Sequence, residues 1–155
     1  MTSDRSGVGG MIYLRPMVME DIPAALRLWQ GLPGIGLRDA DSPASLAKYL
    51  ARNPGCSFAA VTEAGELVGV SLAGHDGRRG YLHHVAVKPE CQKLGLGRQL
   101  VEACLKELKA EGIEKVHLWV KADNSAGKDF WNHLGWRERT DIVLMSIVTG
   151  DNPNA

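Results

Sequence analysis

The strongest constraint on the fold of this chain is a change of hydrophobic period after Pro89. Residues 81–88 have the composition of a β-strand, whereas the apolar residues after the proline recur every four positions, as on one face of an α-helix. That apolar face consists of Leu96, Leu100, Cys104 and Leu108, with Val101 and Leu105 beside them. Gly112 is the expected end of the helix. A strand that leads through a tight turn into a long helix favours the α/β class.

The turn itself predicts a phosphate site. Gly95 and Gly97 lie where the helix opens, so a ligand can approach the backbone, and the N–H groups of the first turn have no partner inside the helix. A phosphate or pyrophosphate would accept these hydrogen bonds at the positive end of the helix dipole, and Lys93 and Arg98 add positive charge. The alternative is that the two glycines only form a tight turn. The third glycine of the dinucleotide fingerprint and the Walker A pattern are missing, which disfavours both standard nucleotide sites.

The remaining segments predict one domain at residues 11–149 with flexible tails at 1–10 and 150–155. Further strands are predicted at 11–15, 56–62, 66–73, 115–120 and 142–148, and further helices at 21–30, 42–53 and 124–134. The strands at 56–62, 66–73 and 81–88 follow one another directly, which predicts an antiparallel meander. A segment rich in glycine and proline, 31–40, is expected to form a loop beside a substrate site.

Charge and cysteine content exclude several classes of function. The 18 basic and 18 acidic residues balance, so nucleic acid and membrane surfaces are not expected partners. The three cysteines contain no CxxC pair, and His117 and His133 have no metal-ligand spacing, so neither a disulfide framework nor a metal site is predicted. No apolar run approaches the ~20 residues of a membrane span and no export signal is evident, so a cytoplasmic location is expected.

The segment Gln92-Lys93-Leu94-Gly95-Leu96-Gly97 matches, in every fixed position, the Q/R-x-x-G-x-G/A signature of the GNAT acetyltransferases. A second motif of that family is similar to Asn124 followed by Phe130-Trp131 and Leu134-Gly135-Trp136. The opening Leu14-Arg15-Pro16 and Glu20-Asp21-Ile22 also resemble the first strand and helix of the family. The resemblance therefore covers about residues 11–148.

This resemblance implies the GNAT fold, a mixed and strongly twisted sheet of about six to seven strands flanked by about four helices. The sheet would open between strands 81–88 and 115–120, with the pantetheine arm of acetyl-CoA in the gap. The pyrophosphate would lie on the backbone of residues 94–98. The residues expected to bind acetyl-CoA are Val85, Ala86, Val87, Gln92, Lys93, Leu94, Gly95, Leu96, Gly97, Arg98, Asn124 and Trp131.

Acetyl transfer needs a neutral amine, stabilisation of the thioester oxygen and a proton for the thiolate. A backbone N–H of residues 85–87 would polarise the thioester, and His83, His84 or water would accept the amine proton. Strand alternation places Tyr81, His83, Val85 and Val87 on one face, unless a bulge exchanges the faces. Some family members have a histidine base at the position of His83, which favours it, although both histidines are as well explained by packing.

Trp131 departs from the family pattern, because many members carry a tyrosine there as the acid that protonates the thiolate. An indole N–H cannot act as this acid, so Tyr81 or water would replace it. The predicted function is direct transfer of an acetyl group to a primary amine of a small molecule, peptide or protein, and the alternative is a non-catalytic acyl-CoA-binding or interaction module. Cys91 and Cys104 are expected to be structural, and an edge strand at 142–148 would support a homodimer.

Overall fold

A single mixed sheet, in which the spatial order of the five strands equals their order in the chain, organises the computed structural model, which describes residues 10–155. The strands are β1 (Ile12–Pro16), β2 (Phe58–Thr62), β3 (Leu67–His75), β4 (Gly80–Val87) and β5 (Val116–His117). Strands β1 to β4 pair antiparallel, and β5 pairs parallel to β4. The predicted meander and the mixed sheet are therefore confirmed.

The described residues contain four α-helices: two lie between β1 and β2, one lies between β4 and β5, and one follows β5. They are α1 (Ile22–Gln30), α2 (Pro43–Arg52), α3 (Leu96–Ala110) and α4 (Ser125–His133), and short 3-10 turns occupy Met19–Asp21, Asp39–Asp41 and Pro89–Leu94. Proline lies in the first turn of both α1 and α2, where its missing N–H costs nothing. At the start of α2, the Ser42 hydroxyl accepts a hydrogen bond of 3.2 Å from the Ser45 N–H, so α2 begins where the Ser-Pro signal places it.

The sheet has helices on both faces. On one face, α1 and α2 bury Trp29, Leu46 and Leu50 against Val70 and Leu72 of β3. On the other face lies the apolar stripe of α3. Its predicted members Leu96, Leu100, Val101, Cys104 and Leu108 are buried, and Leu105 is partly buried. Each fully buried leucine contributes roughly 1.5–3 kcal/mol. This packing on α3 fixes the position of the turn that precedes the helix.

The strand count is lower than predicted. Residues 142–148 form no strand, and the predicted strand at 115–120 is reduced to Val116–His117. The composition of 142–148 suits a strand, but a strand also needs a partner ladder, and the two residues of β5 provide too little edge. Six apolar side chains of this segment are consequently exposed, from 57% at Ile142 to 89% at Met145. Within the part of the chain that the structure describes, the sheet has five strands rather than the predicted six or seven.

The C-terminal residues return to the turn before α2. The side-chain amides of Asn152 and Asn154 donate hydrogen bonds of 2.9 and 2.7 Å to the two carboxylate oxygens of Asp39. The Asp39 N–H donates to the Asn154 carbonyl at 3.1 Å, and the Arg38 guanidinium donates to the Asn154 side chain at 3.3 Å. The predicted flexibility of 150–155 stays a prediction, and most of the predicted N-terminal tail lies outside the described residues. Within residues 10–155, no helix is long and apolar enough to cross a membrane.

Candidate active site

A gap opens along one edge of β4. Strands β4 and β5 pair only at Gly80–Val116 and Tyr81–His117, and beyond Tyr81 this edge of β4 has no partner strand among the described residues. The predicted opening between these two strands is thereby confirmed. Backbone groups on this edge, apart from the His84 and Val87 carbonyls that accept side-chain hydrogen bonds, are available to a ligand that lies alongside β4 as an added strand would.

A β-bulge interrupts β4 in the middle of this edge. His83 pairs with Leu72 and Ala86 pairs with Val70, so β4 advances three residues while β3 advances two. The extra residue brings His84 to φ 51°, a left-handed conformation that side chains with a Cβ rarely adopt. Bulges of this kind re-aim side chains and leave ladder groups unpaired. Here the bulge lies directly before the predicted cofactor segment.

The bulge overturns the predicted alternation of β4. The His83 ring contacts Tyr49 of α2, and the His84 ring contacts Trp29 of α1, so both histidines lie on the α1–α2 side of the sheet. Val85 and Val87 instead pack with the clusters around α3. The prediction that His83 shares a face with these two valines was wrong, because one extra residue reverses the alternation beyond it.

Aromatic rings surround His83. The Trp119 ring stacks on it at a centroid distance of 5.3 Å, and the Tyr49 ring meets it edge-on at 6.1 Å. Burial lowers the pKa of His83, and the neighbouring His84 lowers it further, while Asp41 acts in the opposite direction. His83 is therefore held toward its neutral form, which is the form that can accept a proton.

His84 has a carboxylate partner that the sequence did not reveal. Its Nε2 lies 2.9 Å from Asp41 Oδ1, and the two side chains are 21% and 14% exposed. Asp41 belongs to the short turn that follows the 31–40 loop and has no periodic pattern around it. The only available signal was the proximity of that loop to a substrate site, which did not single out Asp41.

Tyr81 lies at the closed end of the gap. Its hydroxyl donates to Asp76 Oδ2 at 3.3 Å, and its ring stacks on Trp119 with a centroid distance of 5.6 Å and an interplanar angle of 2°. The role of Tyr81 as an acid stays a prediction, and its hydroxyl is engaged with Asp76 in this structure. The rings of Tyr81, Trp119 and His83 stack on one another and form an aromatic wall beside the gap.

The predicted phosphate turn lies at the open end of β4. Gly95 ends the Pro89–Leu94 turn with φ 77°, and a Cβ added there would have no atom within 4 Å. Helix α3 then starts at Leu96 without a side-chain cap, so the N–H groups of residues 96–98 have no partner within the helix. Gly97 has a packing role, since an added Cβ would lie 3.2 Å from the Phe130 ring. Space and free donors therefore coincide at Gly95.

The polar side chains of this turn have different surroundings. Gln92 donates from Nε2 to the Val87 carbonyl at 3.2 Å, which fastens the turn to the end of β4. Arg98 is exposed and pairs with Glu102 one helical turn later at 2.9 Å. Such a surface ion pair contributes little to stability, so the Arg98 guanidinium can pair with another anion instead of Glu102. Lys93 and Leu94 precede Gly95 in the same turn.

Asn124 and Trp131 belong to the helix on the far side of the gap. Asn124 accepts the Gly127 N–H at 2.9 Å and so caps α4. Its amide nitrogen also lies 3.6 Å from the position that a Cβ on Gly34 would occupy, so the loop after α1 reaches the mouth of the gap. Trp131 packs edge-on against Trp136 at 5.2 Å and joins the α3 core cluster, as expected for a core aromatic.

Two clefts flank this region. A cleft of about 470 Å³ lies between β5, α4 and residues 136–144, and both Tyr81 and Trp131 line it. A cleft of about 610 Å³ lies instead between α1, the β2–β3 turn and the end of β4, and it contains none of the predicted site residues. The candidate site is therefore assigned to the β4–β5 side on the basis of its chemistry rather than of cleft size.

The cysteines provide no nucleophile. Cys56, Cys91 and Cys104 are free and buried. Burial raises the pKa of the Cys104 thiol to about 11, so almost none of it is thiolate at neutral pH. Within residues 10–155, no group of three histidine, cysteine or acidic side chains has the arrangement of a metal site.

Comparison with known proteins identifies the family. The profile of the acetyltransferase (GNAT) family matches residues 23–136. A curated acetyltransferase of Pectobacterium atrosepticum is 31% identical over 137 residues, which are 88% of this chain and 91% of that protein. A curated acetyltransferase of Sodalis glossinidius is 31% identical over 88 residues, and the match spans 57% of this chain and 62% of the length of that relative.

A solved structure shares the fold. The N-acetyltransferase PaiA of Thermoplasma acidophilum, in complex with coenzyme A, aligns with a TM-score of 0.68 at 20% identity over 80% of this chain and 88% of its own. The family profile covers both the turn at Gly95 and helix α4, the two segments that border the gap. The chain belongs to the GNAT family of acetyltransferases and is an acyltransferase enzyme.

Proposed function

We propose that this protein transfers an acetyl group from acetyl-CoA directly to a primary amine, with residues 11–149 as a single catalytic domain. The observation that carries the proposal is the gap beside β4, which leads directly to the uncapped start of α3. An extended acyl-pantetheine arm and a pyrophosphate need these two features in this order. The coenzyme A that is bound to the PaiA relative supports the same ligand class.

The residues of this region fit acetyl-CoA. The backbone of Val85–Val87 faces no strand of residues 10–155 on the β5 side and would bind the pantetheine amides. The N–H groups at Gly95–Arg98 would bind the pyrophosphate, where an absent Cβ leaves open space at Gly95. Asn124 would contact the arm from α4, while Gln92 keeps the turn fastened to β4. Acetyl-CoA supplies the activated acyl group, and no metal is required for this chemistry.

Within this proposal, His83 accepts the proton that the acceptor ammonium must lose before its nitrogen can attack. A lowered pKa keeps His83 neutral and ready to accept that proton. A backbone N–H of Val85–Val87 stabilises the developing oxyanion. The C–N bond forms as the C–S bond breaks, the thiolate keeps the electron pair of that bond, and Tyr81 or water supplies its proton. In balance, the ammonium and acetyl-CoA give the amide, CoA and one proton.

Direct transfer is favoured over an acyl-enzyme route. Cys91 and Cys104 are buried with raised thiol pKa values, and Cys91 has a relative exposure of 0%. A thiol in these surroundings is protonated and inaccessible to the thioester. These surroundings of the cysteines support the proposal that the acceptor and acetyl-CoA are present together in a ternary complex.

The acceptor class stays open between a small-molecule amine and a peptide or protein amine. The named acetyltransferase relatives support an enzyme over the alternative of a non-catalytic acyl-CoA-binding module. We also propose a cytoplasmic location and a homodimer. The exposed apolar segment 142–148 would provide the contact between the two copies.

Calorimetric titration with acetyl-CoA, CoA, NAD and free adenine nucleotides tests the cofactor. We expect saturable binding of acetyl-CoA and CoA, and no binding of NAD or free adenine nucleotides. Failure of acetyl-CoA to bind would refute the proposal. A screen of amines should then release CoA stoichiometrically with the acetylated amine. If acetyl-CoA binds but none of the screened amines is acetylated, the result favours the alternative of an acyl-CoA-binding module over acetyl transfer to a primary amine.

A further inference from the structure

His84 has an unfavourable backbone conformation that the rest of the site must stabilise. Within residues 10–155 it is the one non-glycine residue with positive φ, at 51°. A residue with a Cβ keeps such a conformation only where the surrounding contacts over-determine it. Because the bulge at His84 re-aims the backbone that follows, these contacts also fix the Val85–Val87 segment.

Helix α1 provides two of the contacts. The indole N–H of Trp29 donates to the His84 carbonyl at 2.8 Å, and the two rings pack at a centroid distance of 5.2 Å. Trp29 is fully buried, so this donor is fixed in the core. These contacts hold the carbonyl and one face of the ring, but they do not fix the rotation of the imidazole.

Asp41 provides the third contact and comes from a different element. Its Oδ1 lies 2.9 Å from His84 Nε2, while its Oδ2 accepts the Arg38 N–H at 3.1 Å. Both carboxylate oxygens are therefore used, one to fix the imidazole and one to fix the turn that carries Asp41. Two ionisable side chains lie near the His84 ring: Asp41 in hydrogen-bond contact, and His83 at a ring-centroid distance of 6.5 Å.

The C-terminal residues hold that same turn from its outer side. Asn152 and Asn154 bond both carboxylate oxygens of Asp39, and the Asp39 N–H donates to the Asn154 carbonyl. These hydrogen bonds lower the pKa of Asp39 and keep it as a charged acceptor. A continuous series of contacts thus joins the C-terminus, the turn, Asp41 and the bulge.

We infer that Asp41 is a positioning residue for the oxyanion site: through the ring of His84 it holds the β4 bulge in the conformation that directs a backbone N–H of Val85–Val87 at the thioester oxygen. This inference rests on the proposed function, because it requires acetyl-CoA in the gap. His84 serves here as a structural clamp, and His83 remains the proposed proton acceptor. The Asp39–Asn154 contacts support Asp41 in turn.

Infrared difference spectroscopy of bound acetyl-CoA tests this role without any acceptor. Acetyl-CoA labelled with ¹³C at the thioester carbonyl is compared with unlabelled acetyl-CoA, free in solution and bound to each variant. A hydrogen bond to the carbonyl oxygen lowers the stretching frequency, so the native protein should shift the band below its position in water. Calorimetry on the same samples measures affinity, and thermal denaturation confirms folding.

The variants separate positioning from general stability. Asp41→Ala should lose at least half of the native band shift while its affinity for acetyl-CoA stays within about threefold. Asp41→Asn should retain most of the shift, because its side-chain oxygen can accept the Arg38 N–H while its amide donates to His84 Nε2. Glycine adopts positive φ readily and β-branched valine does not. His84→Gly should therefore retain more of the band shift than His84→Val. Asp151→Asn, at an exposed carboxylate in the C-terminal segment, is the matched control and should be native.

An unchanged band shift in folded Asp41→Ala would overturn the inference. So would equal losses in His84→Gly and His84→Val, since the backbone conformation would then not matter. A native protein that binds acetyl-CoA without any band shift also refutes it, while leaving the cofactor assignment intact. No binding of acetyl-CoA to the native protein would instead refute the proposed function itself.

Discussion

Two glycines of similar conformation, one at each end of α3, allow the phosphate site to be tested against a matched control. Gly95 has φ 77° and Gly112 has φ 84°, and a Cβ added at either position would meet no atom within 4 Å. Alanine at either position therefore costs only backbone strain, about 1–2 kcal/mol, less about 0.4–1 kcal/mol for the stiffer unfolded chain. A net loss of about 1 kcal/mol should lower Tm by about 2–4 °C in both variants.

Only Gly95→Ala should weaken CoA binding. Its methyl group would occupy the open space beside the free N–H groups of residues 96–98, whereas the methyl group of Gly112→Ala lies at the other end of the helix. A pyrophosphate displaced from one charge-assisted hydrogen bond loses roughly 1.5–3 kcal/mol, because bonds of this type have that net strength. At 1.4 kcal/mol per tenfold, Kd should rise about 10- to 100-fold.

Calorimetric titration with CoA measures Kd for both variants and the native protein, and differential scanning calorimetry measures Tm. Equal CoA affinities of Gly95→Ala and Gly112→Ala, at equal Tm, would refute the assignment of the pyrophosphate to this turn. A loss of affinity in both variants would show that the helix, and not the turn, determines binding.

Four further predictions concern buried groups. Burial, and after it His84, lowers the pKa of His83, so the unfolded chain binds a proton at this histidine more tightly than the folded chain does. The free energy of unfolding should therefore fall as pH drops below about 6.5. His83→Gln should reduce that fall, as measured by urea titrations at pH 5 and 7. His83→Ala should also lower kcat/KM and remove the acidic limb of its pH profile, and an unchanged profile would exclude His83 as the base. Cys91 and Cys104 should react with an aromatic disulfide reagent only after denaturation, since both are buried and the pKa of Cys104 is raised to about 11; fast labelling of the native protein would contradict this. Trp29→Phe should cost about 1–3 kcal/mol in denaturant unfolding, because the His84 carbonyl loses its donor, and a cost near zero would show that this hydrogen bond is not needed.

Local patterns were sufficient to predict much of the fold. The four-residue spacing in α3, the Ser-Pro start of α2 and the glycine turn before α3 each depend on residues that are close in the sequence, and each was confirmed. The strand predicted at 142–148 fails for the opposite reason, because pairing depends on the length of a distant partner strand. No property of the segment itself reveals that β5 has only two residues.

The residues of the candidate site also fall into those that local sequence patterns predict and those that depend on distant contacts. Residues that follow one another along the turn, such as Gly95 and Gly97, could be recognised from their spacing. The bulge at His84 and the contact of that residue with Asp41, 43 positions earlier, could not, because both depend on register and on the path of a loop. A strand pattern predicts alternation, and only the paired structure shows where alternation breaks.

The sequential order of the sheet has a consequence for how the chain folds. Strands β1 to β4 pair only with neighbours along the chain, and the longest excursion among them, between β1 and β2, is spanned by α1 and α2. Such nearest-neighbour pairing keeps the entropy of loop closure low, so the meander can assemble as it emerges from the ribosome. Strand β5 can join only after α3 has crossed the sheet. The β5 side of the gap therefore forms last, after the β4 side is already in place.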